Sequence, residues 1–127
     1  MQNNTISDCS CEDSLAFELV FATDDYLTFS IKVKSGEFAG EGVFCMPIEI
    51  IESAIASLEV MYESLIGSCR MEDHDSDAYI SIASGKFGHI CISGQIGGSY
   101  EDQFVKFLYH TDQTELPVLI RRLKALL

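Results

Sequence analysis

The sequence predicts an α+β fold, in which one antiparallel β-sheet of about six or seven strands carries two helices on one face. Three observations predict it. Apolar and polar residues alternate with a period of two in at least six segments. Short polar turns join most of these segments, so neighbouring strands should run antiparallel. Two further segments carry apolar residues at spacings of three and four, which is typical of helices. The order is three strands, a helix, three or four strands and a second helix.

The first two predicted strands form a hairpin, because two alternating apolar runs flank a polar turn at residues 23–25. The apolar positions are Leu15, Phe17, Leu19 and Phe21 in the first strand and Leu27, Phe29, Ile31 and Val33 in the second. A third strand follows, with Phe38 and Phe44 expected to face inward. Two glycines inside that strand, Gly40 and Gly42, suggest a bulge or a bend.

The first predicted helix shows the clearest periodicity in the chain. Pro47 precedes it, and proline suits the first helical turn because its missing N–H would have no helical partner there. Gly67 is the predicted stop signal. The apolar stripe of this helix is Ile48, Ile51, Ile55, Leu58, Tyr62 and Leu65. Its opposite face carries Glu49, Glu52, Glu59 and Glu63.

The rest of the chain predicts a second group of strands and a closing helix. Strands are expected over about 68–73, 78–84, 87–96 and 103–110. The last helix begins near residue 113, where Asp112 and Glu115 resemble a capping box. Its apolar stripe is Leu116, Leu119, Ile120, Leu123 and Leu127. Most strands are apolar on one side and polar on the other, so both helices should lie on the apolar side of the sheet.

The chain has 127 residues, which is the size of one domain. We expect a flexible N-terminal tail at 1–14 and a single α+β domain at 15–127. The tail does not read as a secretory signal peptide, and no apolar run reaches the length of a transmembrane helix. Five scattered cysteines favour free thiols in a reducing cytoplasm over a disulfide framework. A metal or redox pair at Cys9 and Cys11 is disfavoured by its spacing.

The chain is strongly acidic, with 20 Asp and Glu against 8 Lys and Arg and a net charge of -12. Residues 1–79 hold 16 acidic and 3 basic residues, and residues 80–127 hold 4 and 5. This balance disfavours a nucleic-acid binder, which must neutralise phosphates, and docking on an anionic membrane. An acidic surface attracts basic partners. The alternative is a solvated acidic face that serves solubility alone.

The sequence contains no convincing catalytic or cofactor-binding motif. Asp73, Asp75 and Asp77 begin like a calcium loop, but Ala78 and Ser84 stand where that loop needs Gly and Glu. Glycine motifs that bind phosphate are also missing from the sequence. The histidines and cysteines show no nucleophile, base and orienting group in a recognisable pattern. The sequence therefore predicts neither an enzyme nor a metal or cofactor site.

Two surfaces are candidates for binding a protein partner. The first is acidic and combines a loop with the outer face of the first helix. Its members are Asp73, Asp75, Asp77, Glu52, Glu59 and Glu63. The second is the polar face of the sheet around Tyr79 and His89, residue types that occur in binding hot spots or at their rims. Its other expected members are Glu18, Thr28, Ser30, Lys32, Ser93 and Gln95. An ordinary solvated sheet face is the alternative.

Five segments together carry a family resemblance. They are LAFELVFATDDYLTFSIKVKSGEFAG, MPIEIIESAIASLEVMYESL, DSDAYISI, GHICISGQIGG and TDQTELPVLIRRLKALL, and they span about 15–127. With these segments the chain resembles the WapI-type bacterial immunity proteins. GHICISGQIGG and the Thr-Asp-Gln-Thr start of the last segment are the most specific. The resemblance implies a cytoplasmic protein that binds and neutralises a toxin domain, often a nuclease delivered by a neighbouring cell.

The acidic composition agrees with this implication. A nuclease toxin must be basic to hold nucleic acid, so an acidic inhibitor can compete for the same basic surface. The leading hypothesis is an immunity-type inhibitor that forms a stoichiometric complex with a cognate basic toxin domain. The main alternative is a non-catalytic scaffold that self-associates through a sheet edge or face. A small-ligand or metal binder is a third hypothesis, and the oligomeric state is left open.

Overall fold

The computed structural model describes residues 13–98 and 103–127. In chain order its elements are β1 (Ser14–Ala22), β2 (Tyr26–Ser35), β3 (Phe38–Pro47), α1 (Ile48–Ser64), β4 (Ser68–Glu72), β5 (Tyr79–Ser84), a 3-10 turn (Lys86–Gly88), β6 (His89–Ile96), β7 (Val105–Asp112) and α2 (Glu115–Lys124). The predicted fold class and order of strands and helices are confirmed. Apart from residues 13 and 14, the predicted tail lies outside the described residues, and so do Cys9 and Cys11.

The strands form two antiparallel sheets, with orders β1-β2-β3 and β4-β5-β6-β7, where the sequence predicted one sheet. The break follows β3, whose outer edge meets a loop. The backbone N–H of Cys45 donates a hydrogen bond of 2.8 Å to Asp73 Oδ1, and the Cys45 carbonyl accepts one of 2.9 Å from the N–H of His74. The β4–β5 loop thus occupies hydrogen-bonding positions that a fourth strand would need.

The two helices pack against each other and against both sheets. Helix α1 contacts β3 and β4, and α2 contacts β1 and β7, so the helices lie on the apolar side as predicted. The guanidinium of Arg122 donates a hydrogen bond of 2.7 Å to the carbonyl of Leu15, which holds α2 against β1. Helix α1 ends with Leu65 in the left-handed conformation, two residues before Gly67. Within 13–98 and 103–127, neither helix is long and apolar enough to cross a membrane.

Buried residues from every strand and both helices form one core. Its largest fully buried side chains are Leu15, Phe29, Ile31, Phe44, Met46, Ile51, Leu58, Met61, Met71, Ile80, Ile82 and Ile90. Phe44 faces inward as predicted, whereas Phe38 is 75% exposed and its predicted inward position is wrong. Phe38 pairs with Ser35 at the last position of the β2–β3 hairpin, beyond the part of the sheet that covers the core.

The two glycines of β3 form no bulge, because the β2–β3 register runs unbroken from Tyr26 opposite Pro47 to Ser35 opposite Phe38. The predicted bulge is therefore wrong. Gly42 permits a close approach between the two sheets instead: a Cβ at this position would lie 2.6 Å from Cγ2 of Ile96.

The predicted capping box at the start of α2 is replaced by a turn. Thr114 is the N-cap and makes no side-chain hydrogen bond to the helix. Asp112 Oδ1 accepts hydrogen bonds from the backbone N–H of Thr114, at 2.9 Å, and from the Thr114 hydroxyl. The hydroxyl and then the backbone N–H of Thr114 hold the pKa of Asp112 below its ordinary value, and the charge of His89 adds to this effect.

The Tyr109 hydroxyl is buried, and among the described residues no hydrogen-bond partner reaches it. Burial, followed by the nearby carboxylates of Glu115 and Asp13, raises the pKa of this phenol. We expect Tyr109→Phe to leave the free energy of unfolding unchanged or to raise it by about 1 kcal/mol, because it removes an unpaired polar atom. Urea unfolding followed by circular dichroism measures this. A loss of more than about 1 kcal/mol would show that the hydroxyl is hydrogen-bonded in solution.

Candidate functional site

Three chain segments meet at one end of the molecule: the β1–β2 turn, the junction of β3 with α1, and the β4–β5 loop. The carbonyl of Asp25 accepts a hydrogen bond of 2.9 Å from the N–H of Ile48 at that junction. The ring of Tyr26, at the start of β2, lies edge-on to the ring of His74 in the loop, with 5.7 Å between centroids. These contacts bring together residues that are 23 and 48 positions apart in sequence.

Exposed carboxylates concentrate at this end. We call the following exposed residues the acidic end: Asp24, Asp25, Glu49, Glu72, Asp75 and Asp77. Glu72 is paired, since its Oε2 lies 2.7 Å from Nε of Arg70. The other ion pair between described residues joins Lys124 to Glu59. The remaining five members of the acidic end belong to neither pair, so their negative field is directed at solvent and at any cation that approaches.

The first loop residue predicted as a partner contact, Asp73, is buried and organises the loop. Its Oδ1 accepts hydrogen bonds from the N–H groups of Cys45, at 2.8 Å, and Asp75, at 3.3 Å. Its Oδ2 accepts one of 2.6 Å from the hydroxyl of Ser76. The carboxylate thus accepts hydrogen bonds from three donors of its own chain. Asp75 and Asp77 are exposed on the same loop, and Asp73 holds them in place.

The helix residues predicted as partner contacts are exposed along one stripe of α1, separated by seven and four positions. Glu59 Oε2 lies 3.2 Å from Nζ of Lys124, and both side chains are half-exposed. Glu59 and Glu63 border a groove of about 880 Å³ between α1 and α2, together with Arg121. The basic residues of α2 therefore offset part of the negative charge of this stripe. Glu52 lies nearer the acidic end, and about 16 Å separates it from Glu63 along the helix.

Tyr79 and His89 lie on the same outer face of the four-stranded sheet but near opposite ends. Tyr79 pairs with Gln95, and His89 pairs with Asp112. Because Gln95 and His89 are six residues apart on β6, about 20 Å separates them along the strand. Tyr79 is near the acidic end, where the guanidinium carbon of Arg70 lies 3.9 Å from the centroid of its ring. One compact contact patch cannot be centred on both residues.

The predicted polar face is divided by the break between the sheets. Glu18, Thr28, Ser30 and Lys32 belong to the three-stranded sheet, and Tyr79, His89, Ser93 and Gln95 belong to the four-stranded one. Ser30 and Gln95 are buried, and the Gln95 amide donates a hydrogen bond of 2.8 Å to the Gly97 carbonyl. A continuous face of eight residues is therefore not formed.

Metal-ligating side chains do not assemble into a centre in the part of the chain that the structure describes: no three His, Cys, Asp or Glu side chains converge there. Asp73 of the calcium-like sequence already binds donors of its own loop. Cys69 is buried, and burial raises the pKa of its thiol to about 11, so the thiol stays protonated near neutral pH.

Sequence reasoning missed two features, one in the acidic end and one beside it. The pattern predicts only a turn at Asp24 and Asp25. The hydrogen bond of Asp25 with Ile48 brings this turn beside the β3–α1 junction, and the ring contact of Tyr26 with His74 brings it beside the loop. Leu19 and Phe21 fit the alternation of a buried strand face, yet they are 45% and 62% exposed. Neither feature has a local signal, because the first depends on contacts between distant residues and the second on where the helices stop covering β1.

In a comparison with protein families, the model of the immunity protein WapI-like family matches residues 8–127 of the 127-residue chain. A search of curated proteins found no match, and a search of solved structures found none either. The matched region includes every described element, from β1 to α2, and with them the acidic end. The chain belongs to the WapI-like family of immunity proteins.

Proposed function

We propose that this protein neutralises a cognate toxin domain by forming a stoichiometric complex in the cytoplasm, and that the toxin is a basic, nuclease-type domain delivered by a competing cell. The observation that carries the proposal is the acidic end, where three separate segments present exposed carboxylates around one surface. Family membership supports the immunity role in general. The nature of the toxin and the contact surface are inferred from charge and geometry.

Electrostatics give the proposed mechanism. A nuclease holds its substrate with Lys and Arg side chains on phosphates. The acidic end can occupy such a basic surface and exclude nucleic acid without performing any chemistry. Complementary charge also steers the encounter and raises association rates by about 10–1000-fold. Fast capture matters for an inhibitor that must act before its toxin reaches nucleic acid. The proposed role requires no catalytic residue and no cofactor.

Charge reversal at the acidic end tests the contact. We expect the quadruple variant Asp24→Lys, Asp25→Lys, Asp75→Lys and Asp77→Lys to slow association with the cognate toxin about tenfold or more. The toxin is first identified as a basic protein that co-purifies with the tagged chain and is released by salt. Stopped-flow fluorescence then gives the association rate at low and at 0.5 M salt, where screening should reduce the difference between variant and wild type.

A matched variant controls for net charge. Glu37→Lys, Glu52→Lys, Glu59→Lys and Glu63→Lys change the net charge by the same amount, but they lie in the β2–β3 turn and along α1. We expect a smaller loss of association rate for this variant. If both variants slow association equally, the toxin responds to overall charge and the acidic end is not the contact. A larger loss for the control variant would move the contact to α1.

A further inference from the structure

The end of β1 carries three consecutive apolar side chains in solvent. We call Leu19, Val20 and Phe21 the apolar tip; their exposed fractions are 45%, 60% and 62%. The beginning of the same strand is covered, since Leu15 is fully buried and its carbonyl binds Arg122 of α2. Helix α2 therefore covers one half of β1 and leaves the other open. Contiguous exposed apolar patches occur at protein interaction sites.

The local backbone presents these side chains in a defined way. The β1–β2 register shifts between Leu19, opposite Phe29, and Phe21, opposite Thr28, so Val20 is the extra residue of a β-bulge. A bulge bends its strand, redirects a side chain and interrupts the row of backbone groups that strand addition needs. The apolar tip is thus suited to contact a partner protein through its side chains, and it is poorly suited to pair with a strand of that partner.

Several hydrogen bonds order the neighbouring turn, and an ordered turn loses less entropy on binding. Thr23 Oγ1 accepts hydrogen bonds from the N–H of Tyr26, at 3.0 Å, and from the N–H of Asp25, at 3.3 Å. The N–H of Thr23 donates one of 2.9 Å to the Tyr26 carbonyl. The Asp25 carbonyl also accepts a hydrogen bond from the N–H of Ile48, which connects the turn to the first residue of α1.

Carboxylates flank the apolar tip on both sides in sequence. Glu18 precedes it, Asp24 and Asp25 follow it, and all three are exposed. An apolar centre with a charged rim is the usual anatomy of a protein interface. The charge selects the occupant: a basic partner is attracted, whereas a second copy of this chain would bring two acidic rims together. The net charge of -12 adds to that repulsion.

We propose that the apolar tip is the hydrophobic anchor of the toxin complex, with Val20 and Phe21 seated in an apolar pocket of the basic toxin domain. Glu18, Asp24 and Asp25 then pair with Lys and Arg side chains around that pocket. This inference rests on the proposed function and adds a second kind of contact to it. The carboxylates govern the rate of encounter, and the apolar tip governs the lifetime of the complex.

Two double variants test the anchor against the basic toxin domain identified by co-purification. We expect Val20→Ser with Phe21→Ser to raise the dissociation rate at least about tenfold and to leave the association rate within about twofold of wild type. Phe38→Ser with Phe87→Ser is the control, because these phenylalanines are 75% and 95% exposed and are not part of the apolar tip. The control should leave both rates unchanged. Thermal melting verifies that each variant is folded.

The outcomes separate this proposal from the proposed function. If the wild type binds the toxin and the Val20 and Phe21 variant dissociates at the wild-type rate, the anchor is refuted while the immunity role stands. If the wild type fails to bind the toxin domain, both proposals fall. Light scattering of the free protein gives a further check. A wild-type dimer that Phe21→Ser converts to a monomer would assign the apolar tip to a second copy of this chain and overturn the anchor.

Discussion

Phe29→Ala is expected to lower the free energy of unfolding by about 3–5 kcal/mol, the range for truncating a buried phenylalanine. Phe29 is fully buried in the middle of β2. Its ring meets the Phe17 ring edge-on, with 6.0 Å between centroids, and lies 6.2 Å from the Phe44 ring. Truncation removes these contacts and leaves a cavity that the neighbouring strands can fill only in part.

Phe38→Ala is the matched control, because the chemical change is the same on the next strand of the sheet. Phe38 is 75% exposed, so its loss should change the free energy of unfolding by no more than about 0.5 kcal/mol. Urea unfolding followed by circular dichroism measures both variants. Similar losses for the two variants would contradict the described packing of β3 and would restore Phe38 to the core.

Asp73→Ala is expected to lower the free energy of unfolding by about 2–4 kcal/mol. The substitution leaves the part-buried N–H of Cys45 and the part-buried hydroxyl of Ser76 without their acceptor, and an unpaired donor costs about 1–3 kcal/mol when it is fully buried. It also removes one of the two hydrogen bonds described between the β4–β5 loop and Cys45 at the edge of β3. Asp73→Asn should cost less, since its one remaining carbonyl oxygen can still accept from Cys45.

Asp75→Ala separates this structural effect from a general effect of removing charge. Asp75 is exposed two residues away in the same loop, so its replacement should change stability by no more than about 0.5 kcal/mol. If the acidic end is the contact, as proposed, Asp75→Ala should slow association with the toxin while the stability of the fold is unaffected. Equal destabilisation by the two substitutions would mean that Asp73 does not organise the loop.

Local patterns predicted the elements because both periods can be read within a few residues. The alternation in β2 and the three-four spacing in α1 reflect only which side of the backbone faces the core. Phe44 and Ile51 could therefore be placed correctly, as could the order of strands and helices. The same patterns contain no information on where a sheet ends.

The break into two sheets depends on contacts between distant residues. Asp73 binds Cys45, which lies 28 positions earlier, and Ile96 packs where Gly42 has no side chain. In the sequence Asp73 looks like any other residue of an acidic loop, and its burial follows only from this contact. Pairing between residues that are distant in the chain is difficult to predict from a single sequence. The sequence correspondingly indicates that the candidate site is acidic and includes the β4–β5 loop. That three segments meet there follows only from the structure.

The edges of the three-stranded sheet influence whether the protein polymerises at high concentration. Strand-by-strand polymerisation needs a continuous row of free backbone N–H and carbonyl groups. On one side the extra residue at Val20 interrupts that row, and on the other the loop around Asp73 takes up the N–H and carbonyl of Cys45. Both outer strands of this sheet are thus interrupted at one position, which disfavours amyloid-like growth by addition of strands at its edges.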